Sequence, residues 1–232
     1  MKTIGILGGM GPLATVDIFK KIVMMTDAHS DNEHIPVLID NNTKIPDRTS
    51  YILGKGGSPL NELVRSAVRL ETMGADVIII ACNTAHYFYD DIVKHVKIPV
   101  INMIEETAKE IRNNRPDVKQ VGLLATEGTC KAGVYKKVFE RFGIGLIQPD
   151  TEDLKQIMDV IYGIKQGLRD IDPTGFKQAL SNLKLRGAET LILGCTEIPI
   201  AFQMFNISDD FVDASEVLVK RAITFAGKNV KA

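Results

Sequence analysis

Two stretches of this chain, GADVIIIACNT from Gly74 and GAETLILGCTE from Gly187, follow one pattern. Each is a Gly-Ala turn, a continuous apolar run, and a cysteine that opens a polar turn. The cysteines, Cys82 and Cys195, stand 113 positions apart. A second pair, IGILGGMGPLAT from Ile4 and VGLLATEGTCKA from Val121, aligns Gly5 with Gly122, 117 positions on. Two matches at nearly one offset imply two similar halves, because chance similarity has no reason to keep a spacing. The chain must therefore fold as a duplicated unit.

The unit is legible from its periodicity. Apolar runs at Thr3–Leu7, Ile35–Ile39, Asp76–Ala81, Val100–Ile101, Gln120–Leu124, Gly145–Ile147, Glu189–Leu193 and Phe211–Val212 are mostly continuous rather than alternating. Such runs predict strands covered on both faces, as in parallel sheets. Between them lie helix-length segments, including Pro12–Thr26, Ser58–Met73, Met103–Asn113, Ala132–Phe142 and Ala214–Ala226. The fold class is α/β, two pseudo-symmetric half-domains with mainly parallel sheets and a cleft between them. The expected division is 1–102 plus 208–232 for the first half, completed by the C-terminal strand and helix, and 103–207 for the second. Open α/β sheets bind ligands beyond the carboxyl ends of their strands, so four strand-end loops should surround one cleft.

Composition narrows the function classes. A net charge of −1 gives no electrostatic footprint for nucleic acid or an anionic membrane. No apolar run approaches a membrane span, and the opening residues do not read as a signal peptide. Three cysteines, an odd number, argue against a disulfide framework and for a reducing cytoplasm.

The chemistry sits on the strand-end loops. Gly9-Met10-Gly11-Pro12-Leu13-Ala14 fits a dinucleotide fingerprint, and Asp40 falls where such a site needs an acid for ribose. The same glycines and the Pro12 helix start could instead cradle a carboxylate. Cys82 and Cys195 end equivalent strands, where backbone N–H groups favour a thiolate. A matched pair of thiols suits racemisation beside a carboxylate, which needs a base on one face and an acid on the other, with roles that reverse. A Cys82–His86 dyad is possible on spacing but leaves Cys195 without a task. Cys82, His86 and Cys130 lack metal-ligand spacing, and Cys130, with no counterpart in the first half, reads as structural. The alternatives are a racemase for other amino acids, an isomerase or decarboxylase of small dicarboxylates, a nucleotide-dependent oxidoreductase and a non-catalytic amino-acid-binding protein, and the last two do not explain both thiols.

The segments GGMGPLAT, ACNTAH, IYGIKQG and LGCTEIP together resemble the cofactor-independent aspartate/glutamate racemase family, most closely its aspartate racemases, along essentially the whole chain. The resemblance implies a pseudo-symmetric homodimer without pyridoxal phosphate or metal, acting on aspartate and possibly glutamate. It implies Cys82 and Cys195 as the catalytic pair. It places Met10, Arg48, Asn83, Thr84, Thr126, Lys165 and Thr196 around the substrate, with Arg48 and Lys165 as the carboxylate-binding cations. His86 and Glu197 lie close enough in sequence to tune or orient the cysteines. The glycine-rich stretch after Arg48 reads as a lid that would carry Arg48 into the site on closing.

Overall fold

The computed structural model describes residues 1–231. The first half runs β1 (Ile4–Gly8), α1 (Pro12–Met25), β2 (Val37–Asn41), α2 (Arg48–Ile52), α3 (Leu60–Thr72), β3 (Val77–Ile80), α4 (Tyr89–Ile92), β4 (Val100–Ile101) and α5 (Met103–Asn114). The second runs β5 (Gln120–Leu124), α6 (Glu127–Ala132), α7 (Val134–Arg141), β6 (Gly145–Ile147), α8 (Thr151–Lys165), α9 (Thr174–Leu185), β7 (Thr190–Leu193), α10 (Ile198–Met204), β8 (Phe211–Asp213) and α11 (Ala214–Phe225). The strands make two four-stranded parallel sheets, ordered β2-β1-β3-β4 and β6-β5-β7-β8. Renumbered from its own start, the second order is identical to the first. The duplication in the sequence is a duplication of topology.

The continuous apolar runs behave as expected. Every residue of β1, β3 and β7 is buried, because helices cover both faces of each sheet. Two of the boundary differences have a clear local cause. β2 starts at Val37 rather than Ile35, since Pro36 has no N–H for the ladder and contributes only a carbonyl, which accepts from Ile4 N. The segment Ala132–Phe142 is the second of two helices, broken from α6 at Gly133, whose φ of 65° is left-handed. Among the described residues, no helix is long and apolar enough to cross a membrane.

The last strand corrects the expected division. β8 pairs with β7 through Leu191↔Phe211 and Leu193↔Asp213, so it completes the second sheet rather than the first. Only the helix after it crosses over. Ala214, Leu218 and Ala222 of α11 pack with Ile4, Ile6 and Val77 of the first sheet. α5 makes the reciprocal move: it follows β4 of the first sheet, yet Ile104, Ala108 and Ile111 pack with Val121 and Leu123 of the second. Each half thus lends its last helix to the other. With each buried aliphatic side chain contributing about 1.5–3 kcal/mol, the exchange binds the halves through apolar cores as well as through a linker. Lys21 of α1 adds a polar tie, donating to Asp213 Oδ2 at 2.8 Å and Ser215 Oγ at 2.7 Å.

Candidate active site

The carboxyl ends of β1, β3, β5 and β7 converge between the halves. The turn after β1 is set by close packing: Gly9 has φ 89°, and a Cβ there would stand 2.4 Å from the Asn42 backbone. Across the seam, a Cβ on Gly128 would meet Thr49 Oγ1 at 2.7 Å, so this glycine lets α6 seat against α2 of the first half. The seating places Arg48, the first residue of α2, inside the molecule.

A cleft of about 360 Å³ opens here, lined by Met10, Gly11, Arg48, Lys165 and Glu197 among others. Arg48 is 7% exposed. Its Nη2 donates to Met10 O at 2.9 Å, and its Nη1 to Pro46 O at 3.1 Å and more weakly to Ile45 O at 3.4 Å. Its Nε has no partner among the described residues. Among the described residues Arg48 forms no ion pair with a carboxylate, so the guanidinium is a buried cation oriented by neutral carbonyls. The lid expectation is corrected on this point: Arg48 is already seated by helix α2 and three carbonyls, and needs no closing segment to bring it in. Lys165, at the end of α8, provides the second cation. Burial acts to lower its pKa, but the negative charge of Glu197, joined by that of Cys195 or Cys82 when either is ionised, outweighs burial and Arg48's repulsion, so it is raised overall. Lys165 therefore stays an ammonium, with both thiols inside its field.

The thiols are nearly sealed, Cys82 at 6% and Cys195 at 5% exposure. Cys195 Sγ donates to Glu197 Oε2 at 3.0 Å, and Thr196 Oγ1 donates to the same oxygen at 3.3 Å. Burial first and the Glu197 carboxylate second push the Cys195 pKa well up, while Lys165 works against them. At Cys195 this corrects the expectation of a thiolate favoured by strand-end N–H groups: the Glu197 amide does act in that direction, but burial and the carboxylate prevail.

The predicted polar contacts divide into two groups. Met10, Arg48 and Lys165 face the cleft, with Thr196 reaching Glu197 beside it. Asn83, Thr84 and Thr126 lie in the seam between the halves. The hydroxyls of Thr84, Thr126 and Thr129 close a buried triangle with sides of 2.9–3.0 Å. Asn83 Oδ1 accepts from Tyr135 Oη at 2.6 Å, while its Nδ2 is buried without a partner among the described residues. Orphaned buried donors are costly. Arg48 Nε and Asn83 Nδ2 are two such donors, both on predicted substrate-contact residues.

A family model described as Asp/Glu/Hydantoin racemase matches residues 7–222. The chain belongs to this racemase family. The aspartate racemase of Picrophilus torridus is 31% identical and superimposes with a TM-score of 0.88, covering 100% of this chain and 96% of that one. A broad-specificity amino-acid racemase of Bacillus subtilis is 27% identical over 225 residues, 95% of this chain and 96% of its own length. A glutamate racemase of Aquifex pyrophilus is 29% identical over 153 residues, spanning 64% of this chain and 58% of its own.

In this racemase-family site His86 is a brace, not a base. Met103 N donates to its Nε2 at 3.1 Å, so Nε2 is the acceptor and Nδ1 carries the proton it donates to Cys82 O at 3.0 Å. Both nitrogens are occupied, which leaves none for a Cys–His dyad. The ring fixes the carbonyl of Cys82 to the start of α5, the exchanged helix. Burial lowers the His86 pKa to about 4, against modest opposition from its backbone hydrogen bonds. A depressed His stabilises the fold above its unfolded pKa and loses that stability as pH falls, because only the unfolded chain binds the proton. Lowering pH from 7 to 4 should therefore cost about 3 kcal/mol through this group alone. The His86→Gln variant, which can keep both hydrogen bonds, should lose that part of the slope in urea melts; an unchanged acid limb would remove His86 from the account.

The nucleotide reading also meets the structure. Asp40 is held by Arg69, whose Nη1 lies 2.9 and 2.8 Å from its two oxygens, so it is already paired rather than presented to a ribose. Three residues of the site escaped the sequence reading's substrate set: Tyr135, Thr129 and Glu197. Only Glu197 left a signal, two residues after the second cysteine.

Proposed function

We propose that this racemase interconverts L- and D-aspartate without pyridoxal phosphate, using Cys82 and Cys195 as opposed acid and base. The observation that carries the reading is a pair of cations, Arg48 and Lys165, that line one cleft between the two cysteine turns and among the described residues form no ion pair. A dicarboxylic amino acid supplies two anions for those cations. Its α-carbon then lies between the thiols: one sulfur removes the α-proton, the carbanion flattens, and the other protonates the opposite face. The charged cleft stabilises the negative charge that develops on the α-carboxylate. The Picrophilus torridus aspartate racemase supports aspartate as the first substrate. Glutamate differs by one methylene, worth only about 1–3 kcal/mol of discrimination, so it is the natural second substrate.

Incubation with L-aspartate in deuterated water, without added cofactor, should give loss of optical rotation together with deuterium at Cα. Parallel reactions with glutamate and alanine rank chain length and the second carboxylate. Neither racemisation nor exchange with aspartate or glutamate would sink the proposal.

A further inference from the structure

The topology makes the two thiols equivalent, but their neighbours do not. Cys195 has a carboxylate at 3.0 Å from its sulfur, Glu197 Oε2. Among the described residues the Cys82 sulfur has no such partner; the residue four places on is His86, which binds the Cys82 carbonyl instead. Glu197 is 2% exposed, and its other oxygen faces the turn at Gly11 in the cleft wall. In this contact the Cys195 thiol is the donor and the Glu197 oxygen the acceptor.

We propose that Glu197 breaks the symmetry of the pair: by accepting the Cys195 Sγ–H it keeps the resting proton on Cys195 and leaves Cys82 to begin turnover as the base. The inference rests on the two-thiol reading above, and makes Glu197 a positioning residue that acts through Cys195. The charged and titratable groups facing Cys195 are Glu197 on its own turn, Lys165 from α8 and, within its field, Tyr135 from α7. Cys82 shares the Lys165 ammonium. Glu197 is thus the group that distinguishes them.

The proton accounting is closed. In one direction Cys82 thiolate takes the α-proton and becomes a thiol, while Cys195 gives its proton to the opposite face and becomes a thiolate. Glu197 takes up and gives up no proton in this cycle, and the Lys165 ammonium offsets the charge formed on Cys195. The enzyme returns to rest when Cys82 releases a proton to water and Cys195 takes one from it. Because L and D enantiomers have equal free energies, kcat/KM must be equal in both directions whatever Glu197 does. Rate ratios therefore cannot test the asymmetry, and the thiols have to be read one at a time.

The test is alkylation of the full-length chain with iodoacetamide across pH 6–10, with labelling of each cysteine followed by peptide mass spectrometry. In the wild-type chain Cys82 should label with a lower pH midpoint than Cys195. In Glu197→Gln, which retains an acceptor oxygen but no charge, the Cys195 midpoint should fall by about one unit or more while Cys82 moves less. An unmoved Cys195 profile in a folded variant overturns the proposal. So does a wild-type chain in which Cys195 labels at the lower pH, a result that needs no variant at all. Labelling needs no substrate, so a chain that racemises nothing yet labels in the stated order refutes the proposed function and with it the role of Cys82 as base, and leaves standing only Glu197 as the group that holds the Cys195 proton.

Discussion

Replacing either Cys82 or Cys195 with serine should lower aspartate racemisation by about 10²–10⁴-fold, the usual contribution of a positioned acid or base. An alcohol of similar size keeps the packing of a nearly sealed position, but it is too weak an acid to ionise near neutral pH. The two variants should differ in what they retain. Two-base chemistry gives each sulfur access to one face of the α-carbon, hence to the α-proton of one enantiomer. Cys82→Ser should still exchange the α-proton of the enantiomer facing Cys195, and Cys195→Ser that of the other, each without inversion. Deuterium incorporation into pure L- and pure D-aspartate, resolved by chiral chromatography, reads the pattern directly. If both variants exchanged the same enantiomer, the thiols would not lie on opposite faces. If either racemised at the wild-type rate, that sulfur would have no place in the reaction.

The parts of this molecule that were legible in the sequence are those governed by local pattern. Continuous apolar runs marked strands buried on both faces, and the repeat at nearly constant offset marked two sheets of one topology. The cysteine turns pointed to the site because a strand's carboxyl end is fixed by the strand itself. What stayed hidden depends on contacts far apart in the chain. α5 and α11 have the amphipathic pattern of helices that cover a sheet, but the pattern does not say which sheet, and each covers the other half's. Tyr135 meets Asn83 across 52 positions, and the threonine triangle joins two loops more than 40 apart. The lid reading of the glycines after Arg48 followed composition correctly as far as a loop. It missed that Asp47 caps a short helix by accepting from Ser50 N, which turns Arg48 inward. The low pKa expected of Cys195 failed first through burial and then through the Glu197 carboxylate. Strand-end N–H groups follow from topology, whereas the direction in which Glu197 points depends on how its turn packs.

Arg48 yields the second large effect, and it separates recognition from stability. Arg48→Lys keeps the positive charge, yet a single ammonium on a different stem cannot reproduce a planar fork held by three carbonyls. Loss of a charge-assisted carboxylate contact of about 1.5–3 kcal/mol corresponds to a rise of roughly 10–150-fold in KM for aspartate. Alanine has no second carboxylate, so any turnover of alanine should be nearly unaffected. Arg48→Met removes the charge as well and leaves the Met10 and Pro46 carbonyls without this donor, which should cost about 1–3 kcal/mol of folding stability besides the loss of binding. Aspartate and alanine kinetics on Arg48→Lys, with urea melts on Arg48→Met, read the two contributions apart. If Arg48→Lys weakened aspartate and alanine alike, Arg48 would hold the α-carboxylate common to both, and Lys165 would take the side chain. If neither substrate responded, the buried guanidinium would be an architectural strut between the Met10 turn and α2, and the cleft would have to bind its dianion through Lys165 alone.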